Sequence, residues 1–463
     1  MFFDIDIKDP ASAAAFNEKG ETLSYGQLAQ FSRVFYEQTG HRTLLFILCR
    51  NCFGALLGYT ACLSCGIVPL LLDAGLDKEL LQNLIDTYQP EYLWVPSGTE
   101  VSYPACFGAE DYVLLKTGYD ACKLHPDLGL LLTTSGSTGT AKLVRLSYAA
   151  ILANAQSILN YLELDYKERP VTSLPMSYTY GLSVINSHLL AGAAILMTDR
   201  SLFEHEFWEF FTEQKASSLA GVPFTYEMLK KLRFFRMQLP SLKTMTQAGG
   251  RLSPELHREF AAFAREKGIR FFVMYGQTEA TARMAYLPYE HSLEKCGSIG
   301  IAIPGGKLSL TGEDGREVNE PDTIGEIVYE GINVMMGYSA CPADLAKGDE
   351  LHGRLLTGDI AKYDKDGYYY IAGRKKRFLK IYGKRVNPDE CEKLLKEAFA
   401  IDCACSGRDD LLGIFLTDKA LAGTCCEYLS QKLGLPSTAF KARAVAQIPR
   451  NEAGKIQYKD LKL

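Results

Sequence analysis

The first stretch of this sequence whose residue types could do chemistry is Leu130-Leu-Leu-Thr-Thr-Ser-Gly-Ser-Thr-Gly-Thr-Ala-Lys142. An apolar run enters a loop dense in Gly, Ser and Thr that closes on a lysine. Gly136 and Gly139 permit backbone angles that turn several N–H groups toward one point. Ser135, Ser137, Thr138 and Thr140 add hydroxyl donors, and Lys142 adds a mobile positive charge. Such a loop is a cradle for a polyphosphate. It is not a Walker A loop, because Ala141 precedes Lys142 and Leu143 follows it where Gly and Ser/Thr would stand. Taken alone, the loop can also be read as a plain polar turn.

The loop has company. Thr134-Ser-Gly-Ser-Thr-Gly-x-x-Lys142 resembles the signature of the adenylate-forming superfamily, which includes acyl-CoA synthetases, nonribosomal-peptide adenylation domains and luciferases. Further motifs follow in family order: Leu23-Ser-Tyr-Gly-Gln-Leu28, Ala61 to Pro69 with Gly66, Tyr275-Gly-Gln-Thr-Glu279 and Thr357-Gly-Asp359. Gly373-Arg374 with Lys380 and Gly383 comes next, then Pro449-Arg-Asn-Glu-Ala-Gly-Lys455. Each is modest alone. Their order over most of the chain gives them weight.

The resemblance implies roles. Thr134, Ser135, Gly136, Ser137, Thr138, Gly139 and Lys142 would hold the phosphates of ATP. Tyr275 and Gly276 would border adenine, Thr278 would donate to the α-phosphate, and Glu279 would hold Mg2+, a hard cation suited to a carboxylate. Gly249 and Gly250 would let the backbone pass close to adenine and the acyl group, although Gly-Gly before a helix is also a common turn. Asp359 would accept from both ribose hydroxyls, since a carboxylate only accepts and offers two oxygens side by side. Arg374 would assist it or form a surface ion pair. Lys455 would steady the reacting oxygens. The implied reaction joins a carboxylic acid to AMP, releases pyrophosphate, and passes the acyl group to the thiol of coenzyme A or of a carrier protein's phosphopantetheine. A mobile C-terminal lid would turn about Lys376, where relatives often carry Asp, and Gly383 would line the thiol path.

Tyr178, Tyr180, Gly181, Gly250 and Ala280 would border the acyl pocket by the same resemblance. Many acyl-CoA synthetases carry His at the position of Tyr178, and amino-acid-activating domains often carry Asp nearby. Neither is present, which disfavours the alternative of a stand-alone amino-acid adenylation enzyme loading a carrier protein. Arg283, four residues past Glu279, is an unusual charge for this place. It has three readings: a partner for an acidic group on the substrate, a partner for a protein carboxylate, or a solvated side chain.

The elements that must position these residues read as α/β. Thr43 to Cys49 predicts a strand, Phe53 to Cys65 a buried helix and Ile67 to Leu72 another strand. Phe207 to Lys215 and Pro254 to Lys267 predict helices, each followed by a strand, at Ala216 to Val222 and Arg270 to Met274. The motif at Tyr275 thus lies at a strand's carboxyl end, where open α/β sheets hold ligands. From about Cys296 the sequence turns glycine-rich with short strands such as Gly325 to Glu330 and Tyr368 to Ile371, a β-rich texture. The basic run Arg374 to Arg377 reads as a solvated boundary. The expected architecture is a large N-terminal AMP-binding domain, 1–374, and a small mobile α+β lid, 377–463, hinged at about 376. The large domain comprises layered α/β subdomains at about 1–295 and a small β-barrel at about 296–374.

The 463 residues are 47% hydrophobic and 23% charged, with a net charge of -5. That balance gives no electrostatic reason for nucleic acid as a partner. No apolar run reads as a membrane span: Phe53 to Leu72 is interrupted by Gly54, Gly58, Gly66 and Pro69. The start lacks the basic and apolar regions of a leader, so a cytoplasmic enzyme is expected. Nothing like a carrier domain follows Lys455, which suggests a free-standing ligase. The thirteen cysteines are expected to be reduced thiols. Cys49-x-x-Cys52 and Cys62-x-x-Cys65 imitate a zinc double pair, but the apolar nine-residue gap favours core packing.

Overall fold

Leu44–Cys49, buried at all six positions, is an inner strand of an eight-stranded sheet in the computed structural model. The structure describes residues 1–133, 142–377, 379–382, 384–408, 410–450 and 456–463, without the side chains of 376, 380, 384 and 385. Thr134, Ser135, Gly136, Ser137, Thr138, Gly139, Gly383 and Lys455 therefore lie outside the described residues, as does the side chain of Lys376.

Two compact units emerge, Met1–Lys307 with Tyr329–Leu355, and Leu308–Val328 with Leu356–Leu463. In the first unit the large sheet runs Gly337–Ser339, Leu143–Ser147, Leu128–Thr133, Val68–Asp73, Leu44–Cys49, Tyr92–Pro96, Tyr112–Lys116, Ala105–Ala109. Its four middle strands, Leu128–Thr133 to Tyr92–Pro96, pair in parallel. That explains their continuous apolar runs, since parallel strands are covered on both faces. A second sheet contains Ser218–Gly221, Thr244–Gln247 and Arg270–Tyr275 in parallel, extended antiparallel by Ala285–Leu287 and Ile301–Ala302. A three-stranded sheet joins Ile195–Met197, Ala13–Asn17 and Thr22–Ser24.

The helix Phe53–Cys65 has the bounds expected from its sequence, and eleven of its thirteen residues are buried. Gly58 is needed there, because a Cβ would run into the Trp94 ring. Trp94 Nε1 donates to the Gly54 carbonyl at 2.7 Å. Cys49 and Cys62 lie in this core at 4% and 0% exposure, in keeping with the packing reading, and all thirteen cysteines are free thiols. No helix among the described residues is long and apolar enough to cross a membrane. Two motif segments turn out to shape the backbone. Ser24 and Gln27 form a capping box that starts the helix Tyr25–Thr39. Gly66, at φ 75°, ends Phe53–Cys65 in the left-handed conformation that lets the chain turn into Val68–Asp73.

The second unit holds most of a four-stranded sheet in the order Gly306–Thr311, Gly325–Gly331, Arg354–Tyr363, Tyr369–Arg374. It also contains the hairpin Leu379–Ile381/Lys384–Val386 and a three-stranded sheet, Cys403–Arg408, Leu411–Leu416, Phe440–Ala444, packed with the helices Pro388–Phe399 and Ala422–Leu433. The basic run is not uniformly solvated. Arg377 is drawn inward: it pairs with Asp389 and with Glu392 at 3.0 Å, donates to the Cys405 carbonyl at 2.5 Å, and lies 3.7 Å from the centre of the Tyr458 ring. Sequence reading treated it as surface charge because its carboxylate partners come from a later helix.

Candidate active site

Thr244–Gln247 and Arg270–Tyr275 run side by side, with Gln247 opposite Val273. Their carboxyl ends therefore deliver Ala248-Gly249-Gly250 and Gly276-Gln277-Thr278-Glu279 to one edge of the sheet. The second loop is tightly determined. A Cβ on Gly276 would overlap the Ala282 carbonyl, and Met284 N donates to the Tyr275 carbonyl at 2.9 Å. Asn333 Nδ2 donates to the carbonyls of Ala280 at 2.7 Å and Arg283 at 3.0 Å. Met335 N donates to the Glu279 carbonyl at 2.9 Å. Thr281 and Ala282 take φ of 54° and 98°, sparsely populated for residues with a Cβ, and such turns persist where their surroundings over-determine them.

Glu279 and Lys142 meet through a residue that motif reading passed over. The strand Gly337–Ser339 pairs antiparallel with Leu143–Ser147, Tyr338 opposite Val144. Tyr338 Oη donates to Glu279 Oε1 at 2.8 Å, and Lys142 Nζ lies 5.8 Å from the centre of the same ring. Burial, and then the Glu279 carboxylate, push the Tyr338 phenol well above its ordinary pKa, so it stays a donor. Gly337, at φ 131°, has no room for a Cβ because Arg145 and Glu350 pack there. The signal that would have found Tyr338 is its pairing with the strand that follows the phosphate loop, a long-range register that local sequence does not encode.

The expected pocket residues also converge. Tyr178 precedes the helix Thr179–Ala191, and its hydroxyl lies 2.6 Å from where a Cβ on Gly249 would stand. Gly249 therefore has to be glycine twice over, since its φ is 84°. Burial raises the Tyr178 phenol to about 12. Tyr180 is buried, and its hydroxyl donates to the Thr246 carbonyl at 2.8 Å. Gly181 packs against the Pro175 carbonyl, Gly250 lies against Pro223, and Ala280 is fully buried. The first unit thus gathers Lys142, Tyr275, Thr278, Glu279, Tyr338, Tyr178, Tyr180 and Gly249 around the carboxyl ends of two parallel strands and the start of one helix.

In the second unit Asp359 and Arg374 sit opposite each other on adjacent strands, and Arg374 Nε donates to Asp359 Oδ1 at 3.1 Å. Asp359 is 4% exposed. Thr357 Oγ1 bonds to the Ile327 carbonyl at 3.0 Å and accepts from Asp359 N at 3.1 Å. Gly358 N donates to Glu326, which also pairs with Lys375 at 2.7 Å. The Thr-Gly-Asp turn is thereby locked by its own side chains and by Glu326.

Known proteins match this chain over most of its length. A family model described as AMP-binding enzyme matches residues 3–339. The chain is similar to an indoleacetate–CoA ligase of Aromatoleum aromaticum, 29% identical over 370 residues, which are 75% of this chain and 70% of that protein. It is 31% identical over 352 residues to a sulfoacetate–CoA ligase of Cupriavidus necator, covering 72% of this chain and 66% of that protein. In fold it is similar to the O-succinylbenzoate coenzyme A synthetase of Bacillus subtilis in complex with AMP. The TM-score is 0.82 at 23% identity, covering 99% of this chain and 97% of that one.

Proposed function

The chain belongs to the AMP-binding enzyme family, and from that premise we propose that it is an ATP-dependent acid–thiol ligase. It joins a carboxylic acid to AMP with release of pyrophosphate, then transfers the acyl group to coenzyme A. The observation that carries this reading is the cluster of Lys142, Tyr338 and Glu279 beside the Tyr275 loop, in a chain similar to named CoA ligases.

In this reading the cation of Lys142 binds phosphate oxygens together with Thr134, Ser135, Gly136, Ser137, Thr138 and Gly139. Tyr275 and Gly276 border adenine, and Thr278 donates to the α-phosphate. Asp359 accepts from the ribose hydroxyls while Arg374 orients it. Glu279 fits Mg2+: one carboxylate oxygen is held by Tyr338, and a hard cation that keeps most of its waters needs few protein ligands. When bound, Mg2+ neutralises phosphate charge. Lys455 supplies a cation where negative charge gathers at the α-phosphorus. Thiol entry past Gly383 follows from the resemblance.

Coenzyme A is the acceptor named for the similar ligases. A carrier-protein phosphopantetheine presents the same thiol and is the competing acceptor. The test is acid-dependent release of pyrophosphate and AMP from ATP and Mg2+, followed by thioester detection with coenzyme A and with loaded carrier proteins. Nucleotide turnover yielding ADP would reject adenylation. Thioester formed only on a carrier would reject coenzyme A.

The acids named for the two relatives differ in whether they bear a second acidic group. The relatives therefore leave this chain's acid to be argued from its own pocket.

A further inference from the structure

A buried arginine ordinarily brings its counter-charge along, because an unpaired ion inside a protein costs far more than a neutral polar group. Two arginines in the first unit are sealed from solvent, and they are handled differently. Arg145, 0% exposed, pairs with Glu350 and donates to the carbonyls of Met336, Tyr338 and Lys347. Arg283, 1% exposed, meets no carboxylate among the described residues. Its Nη1 donates to Tyr161 Oη at 3.1 Å and to the Met274 sulfur, and its Nη2 donates to Ser183 Oγ at 2.9 Å. Its guanidinium carbon lies 4.4 Å from the centre of the Tyr180 ring. Nε is buried without a hydrogen-bond partner. The buried carboxylate of Glu168 is engaged elsewhere, by Ser217 and by Lys243 at 3.6 Å. Solvent and a protein carboxylate, two of the three readings open from sequence, are thereby removed.

The third reading is the one the surroundings favour. Arg283 ends the strained turn that begins at Glu279, and Asn154 and Asn333 both clamp its carbonyl at 3.0 Å. The cation is therefore held in fixed relation to the Glu279 loop. It stacks on Tyr180, whose neighbour Tyr178 touches Gly249. Arg283 also borders a cavity of about 20 Å³ with Ser187, His188, Thr244 and Thr246, which holds about one water. His188 Nδ1 donates to the Val184 carbonyl at 2.8 Å, and its buried Nε2 has no partner. Burial lowers His188 to about 4, so that nitrogen is a lone pair at neutral pH. A lone pair repels an anion and suits a water proton; an acidic group belongs against the guanidinium.

We propose that Arg283 recognises a second anionic group on the substrate, a carboxylate or a sulfonate, so that the enzyme activates one end of a doubly acidic organic acid. The inference rests on the adenylation reading above and names the substrate class of that site. The ligand's charge completes an ion pair that the protein leaves half made, and a neutral acid of the same shape leaves the cation unpaired.

The test measures pyrophosphate release by the full chain with dicarboxylic acids and sulfocarboxylic acids of graded length, each against its neutral amide or methyl isostere. The doubly acidic member of a pair is expected to have the higher kcat/KM by about 100-fold, the usual cost of leaving one partner of a buried charge pair unmatched. In Arg283→Met, which keeps volume and drops charge, that preference is expected to collapse, and the variant is expected to melt no lower than the parent. Comparison of the carboxylate and sulfonate arms identifies which anion the site takes. A parent that prefers the neutral isosteres overturns the proposal. So does a preference unchanged in Arg283→Met, or a variant that fails to fold, since each makes the arginine structural. Pyrophosphate release confined to neutral acids rejects the substrate class alone. No release with any acid rejects adenylation itself and the inference with it.

Discussion

Tyr338 is the side chain whose removal speaks most directly to the site, because it joins a carboxylate and a cation that lie far apart in sequence. Tyr338→Phe keeps the ring under Lys142 and deletes only the hydrogen bond to Glu279. A hydrogen bond to a charged group is worth about 1.5–3 kcal/mol. The variant is therefore expected to lose adenylation about 10- to 100-fold while melting close to the parent. ATP–pyrophosphate exchange titrated with Mg2+ reads this out: a higher Mg2+ requirement is expected, and an unaltered Mg2+ curve would detach Tyr338 from the metal site. The chemistry-bearing residues themselves were legible from type and order, as with Lys142, Glu279 and Asp359. Tyr338 and Asn333 were not, because a tyrosine or asparagine in a β-rich stretch carries no local mark of what it will touch.

At the scale of elements, the helix Pro254–Lys267 is tied to the following loop through His257. Its Nδ1 accepts from Gly297 N at 3.1 Å, which leaves the Nε2 proton to bond with Ser292 Oγ at 3.0 Å. Protonating Nδ1 would set two donors face to face, and burial already lowers this histidine to about 4. An unfolded histidine titrates near 6.5. Above that value the folded and unfolded states both hold a neutral ring, and stability is intact. As pH falls from about 6.5 toward about 4, only the unfolded state takes up the proton, and stability drains away. Urea midpoints measured across that interval are expected to fall, and more steeply in the parent than in His257→Gln; parallel curves would reject the assignment. Element boundaries were largely visible beforehand. Phe53–Cys65 and Pro254–Lys267 came out with their expected bounds, since an apolar period, a Ser cap and a closing Gly are local signals. The helix expected at Phe207 to Lys215 runs instead from His205 to Glu213, because helix ends depend on competing caps.

For the whole molecule, family resemblance implies a lid that turns about Lys376 between the two half-reactions. Proline restricts φ and removes a backbone donor, so Lys376→Pro is expected to slow thioester formation more than adenylation. Single-turnover assays of each half-reaction separate the two, and equal losses would reject the hinge. Residue type and motif order were enough to determine the α/β class, the polyphosphate loop and the acid-activating chemistry, because glycines, short hydroxyls and a lysine in one loop have few uses besides holding phosphates. Tertiary structure alone decided what Arg283 is. Its charge is written in the sequence, but the absence of a carboxylate among its described neighbours is a property of distant segments folded together. Electrostatics in a low-dielectric interior depends on which groups are brought near, not on how they are spaced along the chain.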